Sequence, residues 1–202
     1  MIESLLQRKI EHDWQGCCEA AFRILYGLPA DVQLRLSQFV IKKYLGIFSR
    51  KWPAIVWPAQ LLKDVNGWIR SHGRSVPSEP NNLDPADSAF LLSLDALLLA
   101  ASYTKNKLIL TSSCMTCICS TINAIQSNIW MADDPEGVEL WKLQGYFPER
   151  SVSENKPAAA AVEREWEAIV AWLTKEEVWQ YDDAPAQDIE RDLVCWKDHE
   201  MQ

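Results

Sequence analysis

Apolar residues return at helical spacing along almost the whole chain. Leu6, Ile10, Trp14, Cys17, Ala21 and Leu25 are three or four apart, which predicts one amphipathic helix stopped by Gly27 and Pro29. A second helix is predicted over about 31–48. Its apolar residues fall on two faces, Val32, Leu36, Phe39, Val40 and Ile47 on one and Leu34, Ile41, Leu45 and Phe48 on the other. Only a narrow polar stripe at Arg35, Gln38 and Lys42 is left, so this helix should be packed on both sides. Trp52-Pro53 and Trp57-Pro58 then interrupt the pattern, because proline and the residue before it disfavour a helix interior. Pro58 opens a short helix to Ser71, closed by Gly73. The stretch 74–84, with Pro77, Pro80, Asn81 and Asn82, reads as a loop and as the candidate subdomain boundary.

Asp84-Pro85 combines an N-cap with proline at the first helical position and starts an apolar helix reaching about Tyr103. From Lys107 a long helix carries Cys114, Ile118, Ile122, Ile125 and Ile129 along one side. Asp134-Pro135 repeats the start signal for a short helix ending at Gly145, and 146–156 reads as a second loop. Pro157 opens the helix that contains Glu163 to Leu173, and Thr174 with Glu177 has capping-box spacing for one more turn. Ala184-Pro185 starts the last helix, with Ile189, Leu193 and Trp196 inward. Helix starts at 85, 135 and 185 are evenly spaced, but the residues between them do not align as a repeat. The expected fold is all-α, an irregular bundle of about eight helices in a single domain over 1–202, with 85–103 and 107–131 central.

Composition is that of an ordinary folded chain, 48% hydrophobic and 24% charged over 202 residues. Seven glycines and the absence of alternating Val/Ile/Thr runs argue against a sheet. Glu3, Arg8, Lys9, Glu11 and Asp13 interrupt any apolar run near the N-terminus, unlike a signal peptide. The run Ala89–Ala101 contains Asp95 and is shorter than the ~20 residues a membrane span needs, so it reads as a buried helix. A cytoplasmic chain without membrane contact is the expectation, and with it six cysteines kept as thiols.

Charge changes the picture most. Residues 1–75 hold 11 Lys and Arg against 6 Asp and Glu, a balance of +5, whereas the rest hold 9 against 22, a balance of −13. Residues 161–202 alone hold 4 basic and 12 acidic residues. On a helical wheel Val162, Trp166, Ile169, Val170 and Leu173 share the core arc, and Trp172 falls outside it beside Glu165. Glu163 and Glu167 are four apart on the polar side, a like-charge pair without local compensation. Glu176, Glu177, Trp179, Tyr181, Asp182 and Asp183 continue the mixture of acid and aromatic residues. Two readings stand side by side. Either the acid keeps the surface soluble and the aromatics pack on neighbouring helices, or Glu163, Glu165, Glu167, Trp172, Glu177, Trp179, Tyr181, Asp182 and Asp183 form a surface that grips a basic protein.

Other chemistry finds little support. Cys114 and Cys117 make a C-x-x-C, but at 100° per residue Cys119 points well away from both, so the three thiols cannot meet on one tetrahedral metal ion. The small residues 111–120 suit close helix packing instead. His12, His72 and His199 sit in no metal-ligand spacing, and no phosphate-binding or serine-elbow motif is present, so no metal or cofactor is expected. Asp95 is the candidate for a functional buried carboxylate in a rival, carboxylate-based enzyme, beside the plainer reading of an Asp at the edge of its face or salt-bridged to a basic residue of the N-terminal half. Nucleic acid is disfavoured by a net charge of −8. The basic first half is instead expected to pair with the acidic half within the chain or to join copies into a homo-oligomer.

In small size, acidic charge, tryptophan content and lack of a catalytic motif, the chain resembles the immunity proteins that bacteria make against their own or their neighbours' toxins. That resemblance implies stoichiometric binding of a cognate toxin, such as a basic nuclease whose nucleic-acid surface is mimicked by acid.

Overall fold

The computed structural model describes residues 2–11, 13–77, 83–144, 155–175 and 186–200. Ten helices and no strand occur among them: α1 Ile2–Ile10, α2 Trp14–Gly27, α3 Ala30–Lys51, α4 Trp57–Lys63, α5 Val65–His72, α6 Pro85–Ser102, α7 Lys107–Asp133, α8 Pro135–Gln144, α9 Lys156–Lys175 and α10 Ala186–Glu200. The chain is thus all-α as expected, but with ten helices in place of about eight.

The two extra helices come from caps that apolar spacing does not reveal. The predicted first helix is divided at Asp13, whose carboxylate accepts the Gly16 amide at 2.8 Å and starts α2. The predicted helix 58–71 is divided at Asp64, which caps α5 through the Gly67 amide at 2.8 Å. In both caps a Cβ on the glycine would lie 2.1–2.2 Å from an aspartate oxygen, so glycine makes this close approach possible. Gly73 ends α5 with φ of 75°, a left-handed conformation that glycine adopts without a steric penalty. Asp84, Asn106, Asp134 and Asn155 cap α6, α7, α8 and α9 in the same way.

Thr174 departs from its expected role. It still belongs to the last turn of α9, and its hydroxyl donates to the Val170 carbonyl at 2.9 Å instead of capping a further turn. Glu177, the other half of that spacing, lies outside the described residues, as do 78–82 of the first predicted loop and 145–154 of the second.

Two cores meet along α3 and α7. One joins α1, α2, the N-terminal part of α3, α7, α9 and α10 through residues such as Leu5, Phe22, Leu36, Ile118, Trp166 and Leu193. The other joins the C-terminal part of α3 to α4, α5, α6 and α7 through Ile41, Phe48, Leu61, Phe90 and Leu97. The two apolar faces of α3 are used in this way, Val32, Leu36 and Val40 entering the first core and Ile41, Tyr44 and Phe48 the second, except that Ile47, expected on the face of Val40, packs against the second core and Leu34 packs against both. Likewise α7 sends Cys114, Ile118 and Ile122 to one core and Cys117 and Ala124 to the other.

The α6–α7 hairpin is the most extensively packed helix pair. Ser93, Ala96, Ala100, Ser113, Cys117 and Ala124 are buried and small, and the Cys117 thiol lies 3.3 Å from the Ser93 carbonyl as a donor. By length and composition both helices could cross a bilayer, with mean hydropathy of 1.3 and 1.6 over an 18-residue window. The expectation of no such segment rested on the unbroken run Ala89–Ala101, whereas the helix extends beyond it. In this fold 56% and 67% of those windows are buried against other helices.

Candidate binding surface

α9 packs through Val162, Trp166, Ile169, Val170 and Leu173, the arc expected from its sequence. The two edges of that arc meet the basic first half. Glu167 accepts from the Lys9 ammonium of α1 at 2.9 Å, and Glu165 pairs with Lys43 of α3. The Glu163/Glu167 repulsion therefore does have compensation, from a residue 158 positions away from Glu167 rather than from its own helix. Glu163 is half-buried, with no ion pair among the described residues.

Trp172 was expected on the open helix surface and is instead half-buried. Its ring stacks on Phe39 of α3, with centroids 6.3 Å apart and planes at 29°, because the α3–α9 seam brings both to the same edge of the first core. The Lys43 ammonium lies 5.0 Å from the Phe39 centroid, on the face of the ring. Phe39 thus carries both the partly buried indole of Trp172 and the ammonium of the Lys43–Glu165 pair on its ring. Glu177, Trp179, Tyr181, Asp182 and Asp183 lie outside the described residues.

The same exchange of charge recurs on α10. Arg23 grips Glu190 with two hydrogen bonds of 2.7 and 3.1 Å, and Lys197 pairs with Glu19. The hydrogen bonds from Arg23 hold the Glu190 carboxyl below its usual range. Asp192 is buried, accepts from the Tyr26 hydroxyl at 2.8 Å and from Arg191 at 2.9 Å. Burial, reinforced by Asp192, pushes the Tyr26 phenol up to about 12.

Asp95 is not buried. Ser88, Leu92, Asp95 and Leu99 share the outward stripe of α6, all exposed, so the carboxylate of the rival enzyme reading faces away from both cores and lines neither of the two surface cavities described below. The buried carboxylate of that helix is Asp87, at 1% exposure. It accepts from the Tyr44 hydroxyl at 3.0 Å and the Trp52 indole at 2.9 Å, with the Lys51 ammonium 3.5 Å away. Lys51 also bridges to Asp84, and Asp84 caps the Asp87 amide. Every strong donor in this network is already committed to holding α3 against α6. Burial, with Asp87 beside it, raises the Tyr44 phenol far above its ordinary value.

Among the described residues no group of three or more His, Cys, Asp or Glu side chains is arranged to hold a metal ion. Cys17, Cys114 and Cys117 are buried, and burial pushes the first two up to about 12 and the third well above its usual value. His72 stacks on Trp68 at 4.1 Å and His12 lies outside the described residues. A cleft of about 680 Å³ opens at the α6–α7 turn, lined by Lys105, Lys107, Arg191 and Asp192 together with Ser102 and Tyr103. A second, of about 330 Å³, lies between α1 and α2 at Arg8, Asp13, Glu19 and Arg23. Both are charged and neither contains a nucleophile activated by a neighbouring base.

Comparison of the chain with protein-family models, with curated proteins and with solved structures gives no match to any of them.

Proposed function

We propose that this chain is a protein-binding module, an immunity or inhibitor protein that neutralises a cognate toxin in the cytoplasm by stoichiometric binding through its acidic, aromatic C-terminal surface. The observation that carries this reading is the α3–α9 patch. Trp172 is half-buried and its ring stacks on Phe39, which also carries the ammonium of the Lys43–Glu165 pair. An aromatic anchor that is ordered before binding loses little side-chain freedom when a partner covers it, which is how a few residues come to dominate an interface.

Two of the acids are engaged within the chain. Glu165 and Glu167 are engaged with Lys43 and Lys9, so their charge is largely balanced within the chain. Glu163, together with Glu177, Asp182 and Asp183 further along the chain, supplies the field that steers a basic partner.

The test is affinity capture with the full chain as bait from the source organism. The expected catch is one basic protein at one copy per chain, released by salt. Its capture should be lost on combined Glu163→Lys, Glu177→Lys, Asp182→Lys and Asp183→Lys substitution at an unchanged melting temperature. Undiminished capture by that variant would overturn the assigned surface.

A further inference from the structure

Five of the six thiols sit on two of the helices that share the first core: Cys17 and Cys18 on α2, and Cys114, Cys117 and Cys119 on α7. Within that set one pair stands apart. The sulfurs of Cys18 and Cys119 lie 3.6 Å from each other across the α2–α7 contact, although the residues are 101 positions apart in the chain. Both are only half-buried, so a small reagent in solvent has access to this edge of the packing.

We propose that Cys18 and Cys119 form an oxidisable dithiol site that reacts with a small disulfide such as oxidised glutathione and closes to a disulfide between α2 and α7. The thiolate of one cysteine attacks a sulfur of the reagent, forming a mixed disulfide and expelling one glutathione thiolate. The second cysteine loses its proton and attacks the protein-bound sulfur, forming the Cys18–Cys119 bond and expelling the second glutathione. Two electrons and two protons leave the protein, and one disulfide becomes two thiols. The second step needs the sulfurs to approach from 3.6 Å to the ~2.05 Å of a bond, a shift that side-chain rotation supplies where the helices already touch.

The other thiols are poorly placed to compete. Cys17, Cys114 and Cys117 are buried, and burial holds their thiols protonated, so the attacking thiolate is scarce there. Cys195 lies on α10, outside this pair. Selectivity therefore follows from access and juxtaposition together. The inference stands apart from the toxin-binding reading, since it concerns the α2–α7 contact and not α9.

The experiment treats the folded full chain with oxidised glutathione and follows intact mass, linked peptides and melting temperature. The expected product is lighter by about 2 Da, contains one Cys18–Cys119 peptide pair, and melts about 10 °C higher, because the bond closes a long loop in the unfolded chain. Cys18→Ser and Cys119→Ser should each stop at the glutathione adduct of the remaining thiol. Linkage of any other pair, adducts in the wild-type chain that never close, or retention of all six thiols would overturn the proposal.

Discussion

Asp87 and Asp192 differ from Glu163, Glu165 and Glu167 not in chemistry but in surroundings. The two aspartates are buried, and each accepts a tyrosine hydroxyl from a distant helix, Tyr44 for Asp87 and Tyr26 for Asp192. Of the three glutamates on α9, Glu167 is exposed and meets Lys9 within reach of water, while Glu163 and Glu165 are half-buried. A buried carboxylate must be satisfied by fixed donors, so removing it strands them. An exposed one is easily replaced by solvent, which makes it cheap to lose. The contrast therefore separates carboxylates that hold the fold from one that water can replace.

The largest effect expected from this contrast is at Asp87. Asp87→Ala leaves Tyr44, Trp52 and Lys51 without their shared acceptor and should cost about 3–5 kcal/mol in chemical denaturation. Next comes Asp192→Ala, expected to cost ~1–3 kcal/mol by the same measurement and to return the Tyr26 phenol toward its ordinary 10 in spectrophotometric titration. Glu167→Gln should cost only ~0.2–1 kcal/mol, because Glu167 is exposed to water. Equal costs for Asp87→Ala and Glu167→Gln would erase the distinction.

A pH titration sharpens the same comparison. Tyr26 is raised to about 12 in the fold from a value of 10, so its contribution is complete below pH 10 and is lost as pH rises toward 12. Alkaline unfolding should therefore accompany late ionisation of Tyr26 and Tyr44, seen as phenolate absorbance appearing after that of exposed tyrosines. The smallest effect is on the acid side. Glu190, held low by Arg23, contributes above its ordinary 4.5 and loses that contribution as pH falls below it, so Glu190→Gln should matter less in acid. Its exposure keeps the difference small.

Much of this fold was legible because helical periodicity survives in short segments. The two-faced pattern of α3 announced a helix between two cores, and the arc of α9 was found in full. The divisions at Asp13 and Asp64 were hidden because the apolar spacing runs on through them, while the change of direction is set by one side-chain hydrogen bond in each case. Asp95 was a rival candidate because its run is rich in leucine, yet Ser88, Leu92 and Leu99 lie at three- and four-residue steps around it and mark an outward stripe. Asp87 gave no signal, since an acid in the first turn of a helix is ordinary and its partners lie 35 to 43 residues away. The pairing of α9 with Lys9 and Lys43 was likewise a matter of tertiary contact, visible in sequence only as a division of charge between the two halves.

The association rate with the captured partner tests most directly the proposal that acids of the C-terminal half steer a basic protein. Measured at low salt, charge reversal at Glu163, Glu177, Asp182 and Asp183 should slow association by at least about tenfold, and added salt should slow the wild-type chain toward that rate. A rate that responds neither to the substitutions nor to salt would contradict it.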